Sequence, residues 1–265
     1  MFDYGKIYGS LSLKDVPKLG IGKYQIGRLS LLIRLYFRIF GYPDVAGHMR
    51  FKLINKNLSF KKNEKILDAG CGIGIYLHEF SNRYKVSGYG VDVRHSRISL
   101  NRKVDKYLNQ NNIFLIQRLE KLNLGKTYFD KILCLEVLEH IKNDYLAVKR
   151  LYSYLKKHGV LLITVPMSSK ENNSNCKAPE KYGHVREGYS YGELKSLFKK
   201  VGFSKVKIEP YFFLFSKSAV KIQHILYKRT PFYINALFSP LLTLIAYLDR
   251  FVKIYPRGYM VILKK

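Results

Sequence analysis

The sequence predicts an open α/β sheet with helices packed on both faces. Three observations predict it. Short apolar runs alternate with amphipathic segments from residue 65 onward, a glycine-rich turn follows the first run, and an acid closes the second. The elements follow in order. Residues 65–69 are a five-residue apolar run, too short for a helix and suited to a buried strand. Residues 73–81 read as helix, 86–93 as strand, and 95–109 as helix with Ser96 near its start. Residues 113–117 and 130–136 are strands, and 144–155 is helix. Residues 159–165 (GVLLITV) are a strand stopped by Pro166, which has no N–H for a sheet ladder. Residues 190–201 are helix, opened by a capping box of Ser190 and Glu193. Residues 203–209 and 258–263 are the last strands. Two regions, 24–40 and 211–257, fall outside the alternation, and neither repeats nor low-complexity linkers occur.

Composition narrows the class. Of 265 residues, 47% are hydrophobic, which supports a sizeable core and excludes a disordered chain. Cys71, Cys134 and Cys176 are widely spaced without a CxxC pair, so a reducing compartment is expected, without disulfides or a zinc site. Residues 1–14 have no long apolar stretch, so no signal peptide is expected. Lys and Arg number 47 against 19 Asp and Glu, a net charge of +28. That balance leaves two readings open: a polyanionic partner, or a lysine-rich composition without functional meaning.

The chemistry centres on residues 65–75, KILDAGCGIGI. Asp68 ends a strand, and Gly70, Gly72 and Gly74 let the backbone turn and approach a ligand with no Cβ between. The dinucleotide pattern GxGxxG/A fails, because Ile75 stands at its last position. GxGxG behind an acid suits a cofactor with an amino-acid moiety, whose ammonium, or a water, Asp68 can face. Asp92, in YGVDV, closes the second strand where an acid can accept hydrogen bonds from ribose hydroxyls. Two further segments follow in order, FDKILCLEVLEH and LKKHGVLLITVP.

With these motifs the sequence resembles the class I S-adenosylmethionine-dependent methyltransferases, particularly the methyltransferase-11 type and the ubiquinone-biosynthesis O-methyltransferases. The resemblance covers about residues 63–203, plus the strand near 259–263. It implies a Rossmann-like seven-stranded sheet with an antiparallel last strand, and S-adenosylmethionine lying across the loops after strands one, two and four. The implied cofactor contacts are Asp68, Gly70, Cys71, Gly72, Asp92, Val93, Leu119 and Glu136. The family usually places an acid near the adenine. Here that segment reads QRLEKL, with Arg118 at the expected place, Leu119 free to cover the adenine face and Glu120 one turn away. The expected domains are a helical extension (1–60), the cofactor-binding core (61–210), an apolar and basic insertion (211–257) and the final strand (258–265).

Glu136, Glu139 and His140 form ExxEH, which on a helix shares one face. Some ubiquinone-type O-methyltransferases bind magnesium in the matching segment. The alternative, adopted here, is that Glu136 lines the cofactor pocket and His140 packs under a loop, with no metal. In GHVREGYS, His184 is a candidate general base, with Arg186 and Tyr189 beside it. The competing reading is that this segment only braces the polar loop 168–181. Cys71 lacks an assigned base and is not expected to act as a nucleophile.

The additions suggest the acceptor. Residues 28–40 place Ser30, Arg34 and Arg38 on one stripe and large apolar residues opposite, which suits a membrane interface or a packed helix. From Thr230 to Leu248 no residue is charged, but Pro240 interrupts the run and the chain must return to the sheet. A lid or a hairpin dipping into one leaflet is expected, with Lys217, Lys221, Lys228, Arg229, Arg250, Lys253 and Arg257 toward anionic headgroups. The resulting expectation is methyl transfer to oxygen or nitrogen of a lipidic or membrane-associated small molecule. The expected location is cytoplasmic, peripheral on the inner membrane face. The alternatives are an RNA methyltransferase, although LEVLEH replaces any NPPY-like segment, and a non-catalytic membrane-binding scaffold.

Overall fold

The computed structural model describes residues 44–172, 183–230 and 232–265. The region 24–40 with its predicted 28–40 helix, Cys176 and residues 173–181 of the polar loop lie outside that set. Among the described residues there are seven strands: β1 (Lys65–Ala69), β2 (Ser87–Asp92), β3 (Ile113–Ile116), β4 (Phe129–Leu135), β5 (Leu155–Pro166), β6 (Lys205–Tyr211) and β7 (Gly258–Lys264). Their order is β3-β2-β1-β4-β5-β7-β6. β1 to β5 pair in parallel, and β7 runs antiparallel between β5 and β6. The order reverses beside β1, so the carboxyl ends of β1 and β4 diverge and leave a crevice between their loops.

The helices are α1 (Val45–Asn57), α2 (Ile75–Tyr84), α3 (His95–Tyr107), α4 (Asp144–Tyr154), the short α5 (Ser169–Asn172), α6 (Tyr191–Val201), α7 (Leu214–Arg229) and α8 (Phe232–Ala246). Strand residues alternate between two cores, as the period of two demands. Ile66, Leu133, Met260 and Ile262 face the side of α1, α2 and α3. Leu67, Ile132, Tyr259 and Val261 face the side of α4 and α6.

The boundary shifts have local causes. α2 starts at residue 75 rather than 73 because Gly72 and Gly74, at φ 54° and 67°, still carry the turn. β5 begins four residues early, at Leu155, because Leu155 pairs with Phe129 ahead of the regular ladder. β6 starts at 205 because Gly202 (φ 106°) ends α6 and Phe203 packs back on the core. The capping box of Ser190 and Glu193 forms as predicted. Pro240 does not end the apolar segment. α8 continues through it, lacking one backbone donor.

The insertion is tied down by polar contacts. Gln223 of α7 accepts from Val45 N at the start of α1 (2.9 Å). Buried Asp249, in the 3₁₀ turn Tyr247–Arg250, accepts from Phe213 N and Phe215 N, both at 2.9 Å, and from Ser216. It caps α7 from a distant part of the chain. Its removal leaves buried donors unpaired at a cost of about 2 kcal/mol. Asp249→Ala is therefore expected to lower the thermal midpoint by roughly 4–8 °C. An unchanged melting curve would show that the cap carries little stability.

Candidate cofactor and acceptor site

A cleft of about 530 Å³ lies over the carboxyl ends of β1, β2 and β4. Its loop after β1 is held by Gly70 N and Cys71 N, which both donate to Val91 O (2.7 and 2.9 Å). Gly70 adopts φ 83°, and any Cβ there would overlap the Val137 side chain. Nothing crowds Gly72, whose nearest neighbour to a built Cβ is Arg94 Nη2 at 3.9 Å.

Asp92 closes β2 and lines the cleft. Its carboxylate accepts from Gly72 N (3.0 Å) and Arg94 N (2.8 Å), so it fixes both loops. The exposed Arg94 guanidinium also reaches it, with Nε 3.2 Å from Oδ1. Asp68 lies beneath the loop. It is 2% exposed, Oδ2 has no hydrogen-bond partner, and burial and then the nearby Asp92 push its pKa up to about 7. Asp68 is not among the residues that line the cleft, so the expected contact rests on its unpartnered Oδ2, which suits a cation or a proton donor.

Val93 and Leu119 line the cleft, Val93 exposed and Leu119 buried, alongside Gln117, Arg118 and Glu120. The Cys71 side chain departs from expectation. It is buried in the core, with Sγ toward Asn101 (3.7 Å), so only its backbone belongs to the loop. Burial and the neighbouring Asp68 and Asp92 hold its thiol protonated, against nucleophilic use.

The ExxEH segment is not an α-helix. Glu136 has φ 55°, and only a 3₁₀ turn, Leu138–His140, follows. Glu136 therefore leaves the face shared by the other two. It lines the cleft, accepts from Tyr211 OH (2.6 Å) and faces Arg50 at 3.5 Å. Burial opposes its ionisation, but Arg50 and Tyr211 outweigh that and hold the carboxyl below its ordinary range. Glu139 is the converse. Burial and then the neighbouring Glu136 push its carboxyl well above the ordinary carboxylate range.

His140 lines the cleft, with Nδ1 at 3.1 Å from Gly183 O. The His184 ring stands edge-on to it at 4.5 Å. Burial, then His140, lowers the His184 pKa, which favours the neutral imidazole. Among the described residues, ligand atoms of Glu139, His140 and His184 lie within 4.8 Å of one another.

Arg186 and Tyr189 do not join this pair. Tyr189 is 1% exposed and donates to Asp144 (3.0 Å), with Leu138 O at 3.2 Å. Arg186 also pairs with Asp144 (3.1 Å) and lies over the Tyr189 ring. Both brace the loop, so neither is available to an acceptor. Sequence reasoning missed Arg50, Tyr211 and Arg94. For Arg94 a signal was present, since it lies two residues past the ribose acid.

The fold and cleft together define an open-sheet protein with a nucleoside-cofactor crevice at its topological switch point. Residues 45–208 match the family model described as methyltransferase domain. The chain belongs to the class I S-adenosylmethionine-dependent methyltransferases, and its cofactor is S-adenosylmethionine. Its sequence is similar to a ubiquinone biosynthesis O-methyltransferase of Rickettsia typhi, 26% identical over 139 residues, which is 50% of this chain and 54% of the relative. The chain thus spans about half the length of the curated relatives it matches. Its fold is similar to a cyclopropane synthase of Mycobacterium tuberculosis (TM-score 0.61, 17% identity, 82% of this chain and 83% of the other). It is equally similar to phosphoethanolamine N-methyltransferase 2 of Haemonchus contortus with S-adenosyl-L-methionine (TM-score 0.61, 15% identity, 97% and 60%).

Proposed function

We propose that the chain transfers a methyl group to an oxygen or nitrogen of a lipidic or membrane-associated small molecule. The observation that carries this reading is the His184 ring set edge-on to His140, which lines a cleft that also presents Asp92 and Glu136. The cofactor supplies a methyl on a sulfonium, already activated, so the protein mainly orients two reactants. Asp92 would hold the ribose end, Asp68 the amino-acid end, and Leu119 would cover the base. In the methyl transfer the methyl–sulfur bond would break as the acceptor bonds to the methyl, the demethylated thioether would leave, and His184 would take the proton lost by the acceptor's O–H or N–H. The relatives named for ubiquinone biosynthesis support a small-molecule acceptor. The departure of the insertion from the carboxyl end of the sheet supports access from an apolar phase.

Incubation with methyl-labelled S-adenosylmethionine and separate lipid and RNA extracts tests this. Label is expected in the lipid fraction. Label only in RNA would install the RNA alternative, and cofactor binding without turnover would favour the scaffold.

Two outcomes follow for the imidazole pair. His184→Gln is expected to lower kcat by roughly 10²-fold or more with little change in KM. A general base works only when neutral, so wild-type activity should fall as pH drops through the depressed His184 pKa. That limb should therefore lie below the ordinary imidazole range and vanish in the variant. A limb that persists in the variant would assign the base elsewhere. Turnover is also expected to survive a chelator, since Glu136 is committed to Arg50 and Tyr211 and does not join Glu139, His140 and His184. Loss on chelation with rescue by magnesium would reverse this.

A further inference from the structure

We infer that the outer face of α8 and the turn behind it form a docking surface for an anionic membrane. α8 is amphipathic in the wrong sense for a helix in water. Its buried face carries Asn235, Ala236, Ser239, Leu242 and Ala246, mostly small or polar. Ser239 receives a hydrogen bond from Gln223 of α7 there (3.3 Å). The opposite stripe, at spacings of four, three and four, is Leu237, Leu241, Leu244 and Leu248, exposed by 70%, 54%, 64% and 42%. Phe251 follows at 75%. A helix whose solvent is water buries its leucines and shows its small polar residues. This one does the reverse, and contiguous exposed apolar surface of this kind marks an interaction site.

Charge selects the partner. Between residues 212 and 257 the only acid is Asp249, and it is buried as the α7 cap. Lys221, Lys228, Arg229, Arg250 and Lys253 are exposed. A second copy of the chain would set like charges against each other. Residues 1–43 hold seven Lys or Arg against two Asp, so they bring the same sign. RNA would satisfy the charge and leave the leucines in water. An anionic bilayer takes both, leucines into the acyl boundary and cations onto the headgroups. No described helix is long and apolar enough to cross a membrane, so the surface lies on the bilayer.

The placement suits the site. β6 ends at Tyr211 and β7 begins at Gly258, and Gly258 pairs with both Tyr211 and Pro166, the last residue of β5. The insertion therefore leaves and returns at the carboxyl end of the parallel strands, the end that holds the cleft. Tyr211 itself donates to Glu136 in the cleft wall. A docked protein would present its cleft near the bilayer.

This inference deepens the reading of a lipidic acceptor, but its test reads binding and needs no turnover. The full chain is floated with vesicles of equal parts phosphatidylcholine and phosphatidylglycerol, and with phosphatidylcholine alone, across a salt series. The wild type is expected to float with the anionic vesicles, less with the neutral ones, and to lose part of its binding as salt rises. Leu241→Glu with Leu244→Glu is expected to reduce partitioning roughly tenfold or more. Lys221→Ala with Lys228→Ala should weaken binding less and flatten its salt dependence. Both variants should keep the wild-type melting curve and S-adenosylhomocysteine affinity, which separates lost docking from lost fold. Four results would overturn the inference. They are wild type left at the bottom, a leucine variant that still floats, binding erased by salt, and a wild-type dimer in light scattering that the leucine variant dissolves.

Discussion

Gly70→Ala is expected to weaken cofactor binding strongly in a calorimetric titration. Two costs fall on the same atom. The residue sits at φ 83°, where a side chain costs about 1 kcal/mol. Its new Cβ would overlap Val137, and overpacking of that kind costs about 1–3 kcal/mol. The loop can relieve both only by moving away from Val91 O, which surrenders the hydrogen bonds from Gly70 and Cys71 that shape the cleft floor. An affinity loss of about 100-fold is expected, equivalent to about 2.7 kcal/mol. Adding Val137→Ala should recover part of it, because the clash is then relieved and the strain remains. No recovery would assign the whole effect to backbone strain, and undiminished binding in the single variant would remove this loop from the site.

Asp92→Ala is expected to weaken S-adenosylhomocysteine binding by about 100-fold. Hydrogen bonds to a charged acceptor are worth about 1.5–3 kcal/mol each, and a ribose offers two donors. The substitution also strands Gly72 N and Arg94 N, which lose their acceptor. The Arg94 side chain competes for the same carboxylate. Arg94→Ala should therefore leave affinity unchanged or raise it. Equal losses from Asp92→Ala and Arg94→Ala would show that the pair acts as one unit rather than as acceptor and competitor.

Much of this site was legible before any coordinates. Gly70 and Asp92 follow short apolar runs at fixed positions, and the sheet order turns on the same alternation that places them. The resemblance supplied what alternation cannot, the antiparallel β7, while the insertion before it stood out as a break in the alternation. Local patterns misled where side-chain direction mattered. ExxEH has helical spacing, but the positive φ of Glu136 turns it away from Glu139. Tyr189 is near His184 in sequence and points into the core instead. The Arg50, Glu136 and Tyr211 cluster was invisible because its contacts are long-range. Tyr211 and Glu136 are 75 residues apart, and Arg50 lies on a helix that was read as an extension. α8 illustrates the same limit. An uncharged run names a helix but has no contrast to show which face turns inward, and only packing reveals that the leucines turn out.

The measurement that bears most directly on the central claim is a crystal structure of the protein with S-adenosylhomocysteine. The ribose hydroxyls should lie within hydrogen-bond distance of the Asp92 carboxylate and the adenine against Leu119. The thioether should be turned toward His140 and His184, and the amino-acid end toward Asp68. A ligand bound elsewhere, or one in this cleft that leaves Asp92 wholly in the grip of Arg94, would contradict the assignment.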